Sequence, residues 1–195
     1  MLAVKHTNPK MPTDKTKARS YLGDFQTPPN VAKYMVSMLP VTTKSVCEPT
    51  PGIGNIVKEL SGYDVTAPND WWLLDKKLRF DAVVGNLPFS STTFFNCPPE
   101  YEGKGMVVAY EQMKVLMQMT ENIILLMPWF TISDSDVRLR MLKRWGLISV
   151  TALPRKTFQY ARIQTVVLQL KKGYSGPTEF KVFDLLNDNQ TAMDL

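Results

Sequence analysis

Ala82-Val83-Val84-Gly85-Asn86-Leu87-Pro88-Phe89 is the stretch on which the reading of this chain turns. Its first four residues have the length and β-branched content of a buried strand. A polar amide, a proline-stiffened step and an aromatic ring follow at the strand's carboxyl end, where open α/β sheets place their ligands. The Asn86 side-chain oxygen and the adjacent Leu87 backbone carbonyl can accept hydrogen bonds from a planar exocyclic amino group. The Phe89 ring can stack on the flat ring that carries such a group. A strand followed by a proline turn and a packed aromatic accounts for the same residues without any ligand.

Upstream, Lys44-Ser45-Val46-Cys47 leads into Glu48-Pro49-Thr50-Pro51-Gly52-Ile53-Gly54-Asn55 and then Ile56-Val57-Lys58-Glu59-Leu60. The pattern predicts a short strand, a glycine turn and an amphipathic helix. Gly52 and Gly54 allow a tight turn and close approach of a ligand to the backbone. The longer Gly-x-Gly-x-x-Gly fingerprint is not completed. Glu48, at the strand's end, can accept a hydrogen bond from a ligand ammonium, directly or through water; the plain alternative is a tight turn with Glu48 solvated. Ahead of this, Asp24-Phe25-Gln26-Thr27-Pro28-Pro29 precedes a predicted helix from Asn30 to about Leu39. Val31, Met35, Met38 and Leu39 recur there at helical spacing, with Pro29 near the start and Pro40 past the end.

Further along, Tyr63 to Ala67 predicts a second strand, followed by Asn69-Asp70-Trp71-Trp72. Ser90 to Gly105 is a polar loop long enough to be functional, a candidate substrate lid. Met106 to Met119 predicts a Met-rich helix, Asn122 to Trp129 a buried strand, and Asp136 to Trp145 a basic amphipathic helix stopped by Gly146. Leu147 to Leu153 and Thr165 to Leu170 predict two antiparallel strands joined by a basic turn region.

The chain has 195 residues, a hydrophobic content of 44% and a net charge of +5. That length predicts one domain over 21–175, with a basic flexible arm at 1–20 and a C-terminal extension at 176–195. Two cysteines and one histidine disfavour a disulfide framework and most metal sites. With no signal-peptide pattern and no apolar run of about 18 residues, the expectation is a soluble cytoplasmic protein. The arm carries Lys5, Lys10, Lys15, Lys17 and Arg19 against Asp14. Residues 137–172 carry Arg138, Arg140, Lys143, Arg144, Arg155, Lys156, Arg162, Lys171 and Lys172 with no acid at all. This asymmetry predicts a localised basic face suited to a polyanion, although solvated basic helix faces are also common.

Taken together, the motifs resemble those of the amino-group methyltransferases that use S-adenosyl-L-methionine (SAM). Asn86-Leu87-Pro88-Phe89 resembles their fourth motif, Asp/Asn/Ser-Pro-Pro-Tyr/Phe. Leu87 replaces the proline commonest in DNA adenine enzymes, as it does in the ribosomal RNA adenine dimethylases. In the family this position acts through its backbone carbonyl, which leucine also has. Glu48 to Gly54 resembles the first motif, Asp/Glu-Pro-x-x-Gly-x-Gly. Phe25-Gln26-Thr27-Pro28-Pro29 resembles the Phe-x-Thr-Pro-Pro segment of type I and related restriction-modification methyltransferases, a loop that closes over the methionine end of the cofactor. Asn69-Asp70-Trp71-Trp72 resembles the third motif, and Leu153-Pro154-Arg155-Lys156-Thr157-Phe158 with Ile163-Gln164-Thr165 resembles the eighth. The acid that grips the ribose is missing at Ala67-Pro68, leaving Asn69 or Asp70 for that part. With the cofactor motif ahead of the catalytic one, the order matches the gamma arrangement.

The resemblance implies an α/β, Rossmann-like class I methyltransferase fold, a mostly parallel twisted sheet with a terminal antiparallel hairpin. It implies SAM as cofactor, held by Phe25, Thr27, Pro28, Glu48, Pro49, Gly52, Gly54, Asn69, Asp70 and Trp71. Asn86, Leu87, Pro88 and Phe89 would be catalytic. Phe158 would hold a flipped base while Arg155, Lys156 and Arg162 meet phosphates. The implied reaction is methylation of the adenine N6 in DNA, in a bacterial or phage setting. Specificity would come from the loops, the arm, a second copy or a separate specificity subunit. An RNA adenine methyltransferase, a protein glutamine methyltransferase and a degenerate nucleic-acid-binding subunit remain open alternatives.

Overall fold

In the computed structural model, which describes residues 26–89, 98–101, 104–158 and 163–183, the apolar runs pair into one sheet. Phe25, Arg162, Cys97, the basic arm, most of the loop after Phe89 and residues 184–195 lie outside the described residues. The strands are β1 (Ser45–Cys47), β2 (Asp64–Thr66), β3 (Ala82–Asn86), β4 (Asn122–Pro128), β5 (Leu147–Ala152), β6 (Thr165–Lys171) and β7 (Glu179–Val182). Their spatial order is β2-β1-β3-β4-β6-β5-β7. β6 runs antiparallel to both β4 and β5, and the remaining pairs are parallel.

Alternation along the strands explains why both faces are covered. Val46, Ala82, Val84, Ile124, Leu126 and Val167 belong to one apolar cluster. There they join Val31, Ala32 and Met35 of α1 (Pro29–Ser37) and Ile56 of α2 (Asn55–Glu59). Cys47, Val83, Ile123, Leu125, Met127, Val166 and Leu168 belong to the other. That cluster holds Ala109, Met113, Leu116 and Met119 of α3 (Gly105–Met119), with Leu142 from a later helix. Strands buried on both faces read as continuous apolar runs, which is how β3 and β4 look in the sequence. The result is three layers, helix on sheet on helix. No described helix is long and apolar enough to cross a membrane.

The helix ends follow local chemistry. Pro29 occupies the first turn of α1, where its missing N–H costs nothing. After a short α4 (Phe130–Ser133), Ser135 caps α5 (Asp136–Trp145), its hydroxyl oxygen accepting the Arg138 N–H at 3.3 Å. Gly146 ends α5 with φ 132° and accepts the Lys171 N–H at 2.9 Å, locking the helix exit to the end of β6.

Two features differ from the sequence reading. The 147–152 and 165–171 strands form the expected hairpin, but they do not complete the sheet. Residues 179–182, placed in an extension by the sequence, add an edge strand parallel to β5. All four of those residues are exposed, so no burial pattern marks them in the sequence. The basic stretch at 137–172 also does not form one face. Because β6 is reversed, Lys171 pairs with Asn122 at the amino end of β4, whereas Arg155 and Lys156 follow the carboxyl end of β5. Lys143 turns to the Gly176 carbonyl (2.5 Å) and the Thr178 hydroxyl (3.1 Å), and Arg138 donates to the Thr131 carbonyl (2.7 Å). Sequence neighbours thus lie at opposite ends of the sheet.

The Gly146 junction gives a stability prediction. A Cβ there would collide with the Lys171 carbonyl oxygen, whereas one on Gly173 (φ 78°) meets nothing within 4 Å. Gly173→Ala should cost about 1–2 kcal/mol from its left-handed backbone, and Gly146→Ala roughly 3 kcal/mol or more. Urea unfolding of the two variants measures this; equal losses would show that the junction is not constrained by packing.

Candidate active site

The strand order reverses between β1 and β3, which lie side by side although β2 separates them in sequence. Such a switch point opens a crevice outside the carboxyl ends of the two strands. Cys47 pairs with Val83, so Glu48 and Pro49 run beside Val84 and Gly85. A Cβ on Gly85 would lie 3.0 Å from Pro49 Cδ and 3.2 Å from Glu48 Oε1. The bare Gly85 therefore makes room for the carboxyl that closes β1.

Glu48 is completely buried, which rules out the solvated turn. Its backbone N–H donates to the Thr66 carbonyl at 3.0 Å, and its Oε1 accepts the Thr50 N–H at 3.0 Å. Among the described residues no donor reaches Oε2. Burial, only partly opposed by the Thr50 N–H, pushes the Glu48 pKa up to about 8. The carboxyl is therefore largely protonated at neutral pH. Neighbouring Cys47 is pushed up to about 12, by burial first and the Glu48 charge second, so it stays a thiol.

The glycine turn is tied to β3 and to the segment before α1. The Thr50 hydroxyl donates to the Asn86 carbonyl at 3.0 Å. The Gly54 N–H donates to the Pro51 carbonyl at 2.7 Å, closing the turn. Asn55 Nδ2 donates to the Thr27 carbonyl at 2.8 Å, and the Ile53 N–H to Gln26 Oε1 at 3.0 Å. Thr27 is buried, and the Pro28 carbonyl accepts the first helical N–H, that of Ala32, at 2.9 Å. Four expected site elements, at Thr27-Pro28, Glu48-Pro49, Gly52-Gly54 and Asn86, thus meet at one edge. Gln26 joins them without having been singled out, because it fills the unspecified position of its motif and its side chain acts across 27 positions of sequence.

Asn86 is half-buried at the end of β3. Leu87 is wholly buried in one apolar cluster and Phe89, 6% exposed, in the other. These anchors on opposite sheet faces hold the backbone between them, so a leucine at 87 fixes the carbonyl it presents. Phe158, 7% exposed, shares the Phe89 cluster, while Arg155 and Lys156 are exposed. The turn before Phe158 is held by the Thr157 N–H on the Pro154 carbonyl at 2.9 Å and by Gln164 Nε2 on the Leu153 carbonyl at 2.5 Å.

The Asn69-Asp70-Trp71-Trp72 segment is built around a cap. The Asp70 carboxylate accepts the Trp72 N–H at 2.9 Å, opening a 3₁₀ turn at Trp71–Leu73. Trp71 is packed in the core with Leu74 and Leu87. Lys76 sits over its ring at 4.0 Å and donates to the Trp71 carbonyl and, at 2.8 Å, to the Leu74 carbonyl. Trp72 is the more exposed of the pair and stacks on Tyr101, with centroids 5.4 Å apart and planes 18° from parallel. Asn69 is exposed.

Two surface hollows, of about 290 and 220 Å³, lie at the other end of the sheet. Thr42, Thr43, Asp81, Glu121 and Asn122 line the larger. Asp81 is committed to the backbone there, its Oδ2 accepting the Lys44 and Ser45 N–H groups at 2.9 Å. Those bonds hold its carboxyl below the usual range. These hollows lack the convergence of carboxyl, amide and glycine turn found at the β1/β3 edge, so chemistry rather than volume identifies the site.

No protein-family model matches the sequence, and no curated protein matches it. Solved structures do match the fold. The modification subunit of an enzyme assigned to type I restriction in Vibrio vulnificus YJ016 superposes with a TM-score of 0.61 at 17% identity, covering 86% of this chain and 48% of its own. The type I restriction-modification methyltransferase subunit of Streptococcus thermophilus gives 0.60 at 15%, covering 82% of this chain and 47% of its own. A Listeria monocytogenes protein assigned to the class I SAM-dependent methyltransferases gives 0.55 at 17%, covering 80% and 64% respectively. The chain spans about half the length of the first two. What it shares with all three is the fold, that of the class I SAM-dependent methyltransferases.

Proposed function

We propose that this chain holds SAM in the crevice between β1 and β3 and methylates the N6 amino group of adenine in DNA. The observation that carries the reading is the 3.0 Å bond from the Thr50 hydroxyl to the Asn86 backbone carbonyl, which ties the glycine turn to the residue that bears the amide at the end of β3. A cofactor held over the turn would then lie beside the group that receives the substrate amine. Two of the similar folds belong to type I restriction-modification subunits, which favours DNA as the substrate.

The residues present fit the cofactor. The turn has no side chain at Gly52 or Gly54, and buried Glu48 Oε2 lacks a donor that a ligand ammonium would supply. When bound, SAM supplies an electrophilic methyl group on a sulfonium. The Asn86 side-chain oxygen and the Leu87 carbonyl accept the two hydrogens of the adenine amine. This favours a more tetrahedral nitrogen, whose lone pair is localised on the atom instead of delocalised into the ring. Catalysis is then positioning and fixed dipoles. Phe89 and Phe158 are covered, so either ring takes a flipped base only after turning outward. Arg155 and Lys156, following the carboxyl end of β5, meet phosphates. A second copy or a separate specificity subunit supplies the sequence choice.

Incubation with labelled SAM and unmethylated duplex DNA, followed by nucleoside mass spectrometry, tests this reading. N6-methyladenine should form, and Asn86→Ala should slow it by roughly 100-fold or more while SAM affinity stays within about threefold. Unchanged turnover in Asn86→Ala would remove Asn86 from the mechanism, and methyl transfer to RNA or protein instead would redirect the substrate.

Glu48 adds a pH dependence. Its folded pKa of about 8 exceeds the ordinary value of 4.5. Its contribution to stability is therefore fully present below the lower value and is lost as pH rises through the higher one. Between those pKa values, the unfolding free energy of the wild type should fall relative to Glu48→Gln by on the order of a few kcal/mol. A flat difference across that window would mean that the carboxyl ionises freely in the fold.

A further inference from the structure

β7 (Glu179–Val182) ends the sheet, and among the described residues no strand pairs with its outer side. The Phe183 N–H donates to the Ala152 carbonyl at 2.9 Å, so the backbone groups of Phe183 face β5. Alternation along the strand then turns the N–H and C=O of Phe180 and Val182 outward, onto the open edge. Neither a proline nor a bulge blunts that edge. Its apolar side chains are open too: Phe180 is 63% exposed and Val182 72%. Phe180 is braced by Trp129, edge to face with centroids 6.1 Å apart. Glu179 and Lys181 take the opposite face of the strand, their charged groups 2.8 Å apart.

The order of these side chains is self-complementary. An antiparallel copy centred on Phe180 sets Phe180 opposite Phe180, and the two residues exchange both N–H···O bonds. Glu179 then faces the copy's Lys181, and Lys181 faces its Glu179, so each charge gains a second opposite neighbour. Moving the centre by one residue either way sets Glu179 against Glu179 or Lys181 against Lys181, which repel. This charge order favours a second copy of the chain, related by a two-fold axis, over an unrelated strand. We propose that β7 is a self-association edge, through which two copies of this chain continue one sheet. Four residues make a small contact, so the pairing is weak, with a dissociation constant on the order of 100 μM. The β1/β3 crevice lies towards the other side of the strand order, so the pairing is independent of the SAM reading.

Sedimentation velocity of the full chain, from about 10 μM to about 1 mM, tests the assignment. The average mass should rise from that of one chain towards that of two. Glu179→Lys and Lys181→Glu each set like charges across the axis and should weaken self-association by roughly tenfold or more. An equal mixture of the two variants should associate again, because an all-basic edge then meets an all-acidic one. Phe180→Asp, at an exposed position, should leave only single chains. The mass of one chain at every concentration, a dimer that survives Phe180→Asp, or a mixture no tighter than its parts would overturn the inference. A single chain whose Phe180 and Val182 amide protons resist exchange would also overturn it, giving the edge to the chain's own residues.

Discussion

The candidate site depends on the close approach of β1 and β3 at Gly85. With no side chain there, the Glu48 carboxyl and the Pro49 ring can press against the neighbouring strand. That approach places Thr50 where its hydroxyl reaches the Asn86 carbonyl, and it orients the glycine turn that follows. The cost is a carboxyl buried away from solvent, whose pKa that burial raises. A ligand bearing a positive charge would reverse that balance. The carboxyl that burial makes expensive to ionise is thus the one a cation would relieve.

The three-layer framework serves this edge. Leu87 and Phe89 enter clusters on opposite faces of the sheet, so the Asn86–Phe89 tetrapeptide is secured on both sides. Thr27 and Asn55 join the segment before α1 to the turn. The 3₁₀ turn at Trp71–Leu73 is closed by Asp70 at its start and Lys76 at its end, which keeps Trp71 in the core and leaves Trp72 to stack on Tyr101. At the opposite end of the sheet Asp81 spends its carboxylate on strand backbone, a structural use of charge.

Much of this is legible in the sequence, because strand runs, glycine turns and proline-started helices are local patterns. The strands ending at Cys47 and Asn86 and the helix from Gly105 to Met119 lie close to where periodicity places them. What escaped was long-range. β7 has four exposed residues and gains its place only by pairing with β5. Reversal of β6 sends Lys171 away from Arg155, so a charge run in sequence does not become a face. The burial of Glu48 depends on a glycine 37 positions away, and Gln26 matters through one bond to Ile53. Motif spacing identifies which residues gather; it does not give protonation state or the identity of the group that contacts the turn.

A cofactor at the β1/β3 edge would be registered by backbone amide NMR during titration with S-adenosylhomocysteine. The prediction is large, saturable shifts at Ile53, Gly54 and Asn86, with Asp81, Glu121 and Asn122 at the far end unmoved. Shifts confined to the Thr42–Asn122 hollow, or none at saturating ligand, would contradict it.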